Sequence, residues 1–179
     1  MSDYVISSYT PTLNTLLTPP PPSKKPLKMM VVIQPQTLGY ASLPFTRDEL
    51  RNIEQYVPKE CLITLGTPQA PASVDKVFSH LSDISILHLA CHGERGEDSA
   101  LDNAFVLGNA QKLKVSRIME LPIPNALLAY LSACHTATYD DESTDEVINL
   151  AASLLFAGFR GTVATRWSVC SILPATIMF

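Results

Sequence analysis

The chain has 179 residues, enough for one domain, and its 46% hydrophobic and 17% charged residues exclude a wholly disordered protein. A net charge of −4 without a basic stripe argues against nucleic-acid binding, and no apolar run approaches the roughly 20 residues of a membrane-spanning helix. Because no cationic segment followed by an apolar one opens the sequence, we expect a cytoplasmic globular protein that binds neither nucleic acid nor membrane.

The N-terminal half alternates between strand and helix patterns after a short β-rich start. The proline-rich stretch 18–26 is predicted to be an exposed loop, because proline has a fixed φ and lacks a backbone N–H. Apolar runs predict buried strands at 27–35, 61–66 and 84–90. Helical periodicity predicts helices at 46–57 and 72–83. In the first helix, Thr46 and Glu49 have the spacing of a capping box.

Beyond residue 90 the sequence predicts a polar loop and then further alternation. The expected elements are a short apolar segment at 104–108, helices at 115–121 and 143–158, and strands at 126–132 and 161–167. Strands that are apolar on both faces and alternate with helices are typical of a mainly parallel sheet with helices on both sides. The predicted fold class is therefore α/β, with ligands at the carboxyl ends of the strands.

Two of the predicted strands end in the same tripeptide, Ala-Cys-His. The first stretch is "SILHLACHGERG", which begins at Ser85, and the second is "LLAYLSACHTAT", which begins at Leu127. His92 is followed by Gly93, and a glycine lets the backbone approach a ligand closely. In a parallel sheet, His92 and Cys134 would both emerge at the edge where ligands bind.

A catalytic interpretation makes Cys134 the nucleophile and His92 its general base and acid. A neighbouring imidazole favours the thiolate form of a cysteine, which is the reactive form. The backbone N–H groups of Gly93 and Cys134 would then bind the oxyanion of an acyl-transfer intermediate. This chemistry needs neither a metal nor another cofactor.

A zinc site is a second interpretation of the same residues. Cys91, His92, Cys134 and His135 carry the donor atoms that zinc prefers. However, these ligands are adjacent in pairs, whereas zinc sites leave about two to four residues between local ligands.

A third interpretation is packing alone, since reduced cysteine is among the most buried residue types. It is the interpretation favoured for Cys61, Cys91 and Cys170, which lie in or beside apolar runs. His88, between two leucines, is likewise expected to be a core histidine with a hydrogen-bond partner rather than a catalyst.

The combination of "HLACHG", "LSACHTAT" and "DEVINLAASLLFAGFRGTVATRWSV" resembles the CHAT domain, a family of caspase-like cysteine peptidases. The resemblance covers most of the chain, including "DYVISSYTPTLNTL" and "LKVSRIM", and is strongest to fungal members. It implies a caspase–haemoglobinase-like three-layer sandwich with a mainly parallel sheet flanked by helices. It also implies peptide-bond hydrolysis by a dyad that maps onto His92 and Cys134.

The resemblance further implies where a protein or peptide substrate lies. In this wider group the substrate is extended across the carboxyl ends of the strands, beside the backbone that follows the last strand of this chain. The residues expected there are Thr165, Arg166, Trp167 and Ser168, with Trp167 as the wall of a subsite. Some relatives hold a basic P1 side chain with acidic residues, a role for Asp140 or Asp141. The competing interpretation of that acidic run is a solvated loop that caps the next helix.

Several features depart from the pattern of the family. His135 stands where glutamine or glutamate is common, and the sequence after Trp167 lacks the usual acidic residue. The family's preceding strand and last helix are missing, so we expect residues 1–179 to be a single truncated domain. CHAT modules are often attached to TPR repeats, which makes TPR-type or other regulatory domains of a larger parent protein the expected partners. The alternative function is an inactive pseudopeptidase that serves as a regulatory or protein-interaction domain.

Overall fold

The computed structural model describes residues 26–94, 96, 100–132 and 144–164, and of residues 100 and 144–149 only the backbone. The strands are β1 Met29–Ile33, β2 Leu62–Leu65, β3 Ile86–Ala90, β4 His92–Glu94, β5 Ala104–Val106, β6 Lys112–Lys114, β7 Leu128–Leu131 and β8 Gly161–Ala164. The helices are α1 Thr46–Tyr56, α2 Val74–Leu81, α3 Val115–Met119 and α4 Thr144–Phe156. Single 3₁₀ turns lie at Lys59–Cys61, Ala100–Asp102 and Gly108–Ala110.

The main sheet has five strands in the order β2-β1-β3-β7-β8, and all of its pairings are parallel. From β1 the chain passes through α1 to β2 and then returns through α2 to β3, on the other side of β1. The direction of winding therefore reverses between β1 and β3. In open parallel sheets, the carboxyl ends on either side of such a reversal form the crevice where ligands bind.

Helices cover both faces of this sheet. On one face, Val31 and Ile33 of β1 pack with Leu50 of α1. On the other, Val77 and Leu81 of α2 belong to a larger cluster that also includes residues of α3 and α4. The molecule is thus a three-layer α/β sandwich. None of the helices in the described ranges combines the length and the apolar character needed to cross a bilayer.

The predicted order of strands and helices in the main sheet is confirmed, and within the described residues most boundaries are shorter by one or two residues. The polar loop expected after residue 90 is wrong in part, because β4 pairs with β5 in a small antiparallel sheet that β6 completes. The run at 104–108 contributes β5 to it. Of the proline-rich stretch, only Pro26 lies within the described residues, where it is exposed.

The capping box at the start of α1 is also wrong. The residue at the N-cap position is Phe45, and it makes no side-chain capping hydrogen bond. Thr46 donates its hydroxyl to the carbonyl of Leu43 instead. The carboxylate of Glu49 turns away from its own helix and binds partners on β3 and after β7. Tertiary partners have replaced the local contact that the sequence pattern favoured.

Candidate functional site

The candidate site begins where β3 ends. The backbone N–H of Gln34 donates to the carbonyl of Ala90 at 2.9 Å, which extends the pairing of β1 with β3 to its last residue. The chain then bends at Cys91, and His92 opens β4. Cys91 is fully buried in the larger core cluster, and this burial raises the pKa of its thiol to about 12. Cys91 is therefore an unreactive core residue, as its apolar surroundings in the sequence indicated.

The imidazole of His92 is held by a backbone carbonyl in the loop after β1. Its Nε2 lies 2.8 Å from the oxygen of Ala41. Because a carbonyl can only accept, we assign the proton of the neutral ring to Nε2, which leaves the lone pair on Nδ1. Nδ1 is buried and has no hydrogen-bond partner among the described residues. A buried nitrogen of this kind calls for an explanation, since buried polar atoms are normally paired.

The loop that supplies the Ala41 carbonyl is tied to itself. Near its start, the carbonyl of Pro35 accepts hydrogen bonds from the N–H of Leu43 at 2.9 Å and from the hydroxyl of Ser42 at 3.2 Å. At its tip a turn closes from the N–H of Tyr40 to the carbonyl of Thr37, with a φ of 84° at Gly39. A positive φ at that position is what a type II turn requires. The acceptor for His92 is therefore presented by a braced loop.

Tyr40 connects the same loop to β4 and β6. Its ring lies against the imidazole of His92, with centroids 5.1 Å apart, and its hydroxyl donates to Glu94 at 2.6 Å. The second oxygen of Glu94 lies 2.6 Å from Nζ of Lys112. Burial raises the pKa of Glu94, but the hydrogen bonds from Lys112 and Tyr40 outweigh it and hold that pKa below its usual value. The hydrogen bond to Glu94 is the main cause that raises the pKa of Tyr40 to about 12.

The strand that precedes His92 and the strand that precedes Cys134 in the sequence are neighbours in the main sheet. Leu89 of β3 lies opposite Leu131 of β7. The N–H of Ser132 also donates to the carbonyl of Leu89 at 2.9 Å, so the two strands stay paired beyond β7. His92 follows Leu89 by three positions, and Cys134 follows Leu131 by three positions. β3 and β7 are adjacent parallel strands, as expected, but Cys134 lies outside the described residues, so its position beside His92 stays a prediction.

Of the remaining predicted site residues, only Gly93 lies within the described residues. Gly93 is a buried residue of β4 opposite Phe105 of β5. The others lie outside the described residues: Cys134, His135, Asp140, Asp141, Thr165, Arg166, Trp167, Ser168 and Cys170.

Two of the four residues considered as zinc ligands, Cys91 and His92, lie within the described residues, and their contacts do not support a zinc site. The thiol of Cys91 is packed into the apolar core, whereas Nε2 of His92 is occupied by the Ala41 carbonyl. Within the described ranges, no group of three or more His, Cys, Asp or Glu side chains is placed to hold a metal ion. The other two residues of the set, Cys134 and His135, lie outside the described residues.

Sequence reasoning missed Tyr40 and Ala41, which contact His92, and Glu94, which binds Tyr40. Ala41 acts through its backbone carbonyl, so its side chain carries no signal in the sequence. Tyr40 and Glu94 are 54 positions apart and meet only through the fold. The one local hint was the Gly39-Tyr40 pair, because glycine favours a turn.

Comparison with known families gives one finding that covers the whole sequence. A family model described as the CHAT domain matches residues 1–179. A search of the curated proteins gave no match.

Proposed function

The chain belongs to the CHAT domain family, a caspase-like family related to peptidases, and on that premise we propose that it is a cysteine peptidase module. Cys134 is the nucleophile, and His92 is the general base and acid. The hydrogen bond from Nε2 of His92 to Ala41 carries the proposal, because it leaves at the start of β4 a buried Nδ1 that has no partner among the described residues. Nδ1 is then the one ring nitrogen that can accept a proton.

The reaction follows from that assignment. Nδ1 of His92 accepts the thiol proton of Cys134, and the thiolate attacks the carbonyl carbon of the peptide bond. The oxyanion receives hydrogen bonds from the backbone N–H groups of Gly93 and Cys134. The proton on Nδ1 then passes to the departing amine, and an acyl-enzyme remains. A water molecule, deprotonated by Nδ1, hydrolyses this thioester, while the Ala41 carbonyl supports the imidazolium formed in each half.

The substrate is an extended protein or peptide segment that runs along the backbone after β8. The residues that we assign to its binding are Thr165, Arg166, Trp167 and Ser168, and Asp140 or Asp141 would hold a basic P1 side chain. The family resemblance supports these assignments. It also supports a parent protein in which a TPR-type or other regulatory domain controls the module.

The test is the alkylation of each cysteine by iodoacetamide between pH 5 and pH 9, resolved by mass spectrometry. In the wild-type protein we expect Cys134 to react with a midpoint well below the value of about 8.5 for a free thiol. We expect His92→Ala to return that midpoint to the ordinary value. The matched control is His80→Ala, a half-buried histidine on α2, and it should change nothing. If Cys134 behaves as an ordinary thiol in all three proteins, the peptidase function is refuted.

A non-catalytic module is the second candidate, and one observation favours it. The side chain of His92 is covered, with only 3% of its surface exposed, and the ring of Tyr40 lies against it. A pseudopeptidase would keep the fold as a regulatory or protein-interaction domain without admitting a substrate. In that case Cys61 and Cys134 react with similar midpoints, and His92→Ala has no effect on either.

A further inference from the structure

Glu49 joins the two strands that precede the proposed catalytic residues. One oxygen of its carboxylate accepts the hydroxyl hydrogen of Ser132 at 2.5 Å, and the other accepts from Nε2 of His88 at 2.9 Å. Hydrogen bonds to a charged acceptor are shorter and stronger than those between neutral groups. A single side chain of α1 therefore binds both β3 and the residue that follows β7.

The two partners stand close to the proposed dyad along the chain. His88 on β3 precedes His92 on β4 by four positions, and Ser132 precedes Cys134 by two positions. Ser132 is held twice, because its N–H also donates to the carbonyl of Leu89. Glu49 thus holds Ser132, the last described residue before Cys134, in place relative to β3, the strand that precedes His92.

His88 is itself immobilised, which makes it a firm anchor for the carboxylate. Its side chain is 7% exposed, and its ring stacks on Tyr130, with centroids 5.0 Å apart and planes 5° from parallel. Tyr130 is the register partner of His88 on β7. Ring stacking therefore joins β3 to β7 at His88 and Tyr130. The carboxylate of Glu49 adds a second connection, from His88 to Ser132.

We propose that Glu49 is a positioning residue for Cys134 and acts through the hydroxyl of Ser132. The inference rests on the proposed function, because a nucleophile must exist for its position to matter. Reacting groups must be held close to their productive geometry, and a shift of about 1 Å can lower a rate by roughly 100-fold. Loss of the hydroxyl anchor would leave Ser132, two positions before the thiol, held only by its N–H. The approach of Cys134 to His92 that the proposed function requires would then be held less closely while the fold persists.

The test extends the alkylation series to Ser132→Ala and Glu49→Gln. Ser132→Ala removes the hydroxyl and leaves the pair of His88 and Glu49 intact. Glu49→Gln can accept from only one of its two partners, since the amide nitrogen donates. The matched control is Glu54→Gln, an exposed residue of the same helix. Far-ultraviolet circular dichroism and the protection of the buried Cys91 verify that each variant is folded.

We expect both variants to raise the pH midpoint of Cys134 toward that of His92→Ala and to slow its alkylation at pH 7 by about tenfold or more. A variant that unfolds would lose the protection of Cys91 as well, so a raised midpoint with Cys91 still protected reports on the position of Cys134 and not on stability. If wild type and His92→Ala differ as expected but both new variants match wild type, the positioning role is overturned and the dyad stands. If wild-type Cys134 is an ordinary thiol, the dyad fails, and the positioning role fails with it.

Discussion

Replacing Tyr40 with phenylalanine tests how the loop that holds His92 is fastened to the small sheet. The substitution removes the hydroxyl that donates to Glu94 at 2.6 Å and keeps the ring that lies against His92. Hydrogen bonds to a charged group contribute about 1.5 to 3 kcal/mol. Glu94 is partly exposed and keeps Lys112, so we expect a loss below this range, about 1 kcal/mol at pH 7. For a domain of this size, that corresponds to a melting temperature lower by about 2 to 4 °C.

The pH dependence of that loss follows from the two pKa shifts. The pKa of Glu94 is held below its ordinary value of 4.5, so its contribution is present above that value and is lost as the pH falls through the lowered pKa. The pKa of Tyr40 is raised to about 12, so its contribution is present below the ordinary value of 10.0 and is lost as the pH rises toward 12. The difference between wild type and Tyr40→Phe should therefore be greatest between these limits.

Thermal unfolding followed by circular dichroism at pH 5, 7 and 11 measures both effects. Glu94→Gln and the double variant complete a cycle, whose coupling energy isolates the hydrogen bond from the other contacts of each residue. Tyr56→Phe is the control, because Tyr56 is 84% exposed. Equal melting temperatures for Tyr40→Phe and Tyr56→Phe would refute the reasoning. So would a difference that is unchanged between pH 7 and pH 11.

Two further predictions concern the core beside the site. Gly66→Ala should destabilise the protein by more than about 3 kcal/mol in urea denaturation, because an added Cβ would lie 1.6 Å from the Ile33 carbonyl oxygen at a φ of 94°. Gly39→Ala, with a φ of 84° but nothing within 4 Å of the added Cβ, should cost only about 1 kcal/mol, and equal losses would contradict the steric argument. Cys91 should resist alkylation at pH 8 in the folded protein and react fully in urea, because burial raises its pKa to about 12. Native labelling as fast as that of the half-buried Cys61 would show that the core is open.

The main sheet was predictable because its strands carry their own signal. β1 is a continuous apolar run, and β3 is apolar except for His88. Both strands are buried on both faces, which is typical of central parallel strands. β4 and β6 could not be predicted in this way. They have three residues each, and one of them, Lys112–Lys114, has charged residues at both ends. These strands form because β5 lies between them, so their pairing depends on contacts that a local pattern does not contain.

Candidate site residues could be predicted where the side chain itself has a chemical role. The residues that hold those side chains through tertiary contacts could not. His92 stood out because a histidine at the end of a buried strand is unusual. Ala41 could not be identified from the sequence, because it contributes only its backbone carbonyl, which every residue has. Glu49 was misassigned for a related reason. Its spacing from Thr46 satisfied a local rule, but the hydrogen bonds to His88 and Ser132 prevailed.

His88 and His92 lie four positions apart, and their hydrogen bonds give them different capacities. Nε2 of His88 donates to a carboxylate, and its ring is stacked on Tyr130, so proton exchange there would disturb the join between two strands. Nε2 of His92 donates to a neutral carbonyl on a braced loop. Among the described histidines, only His92 has a buried ring nitrogen without a partner. A general base needs a fixed ring with one free lone pair, and His92 meets both requirements, whereas His88 is committed to the structure.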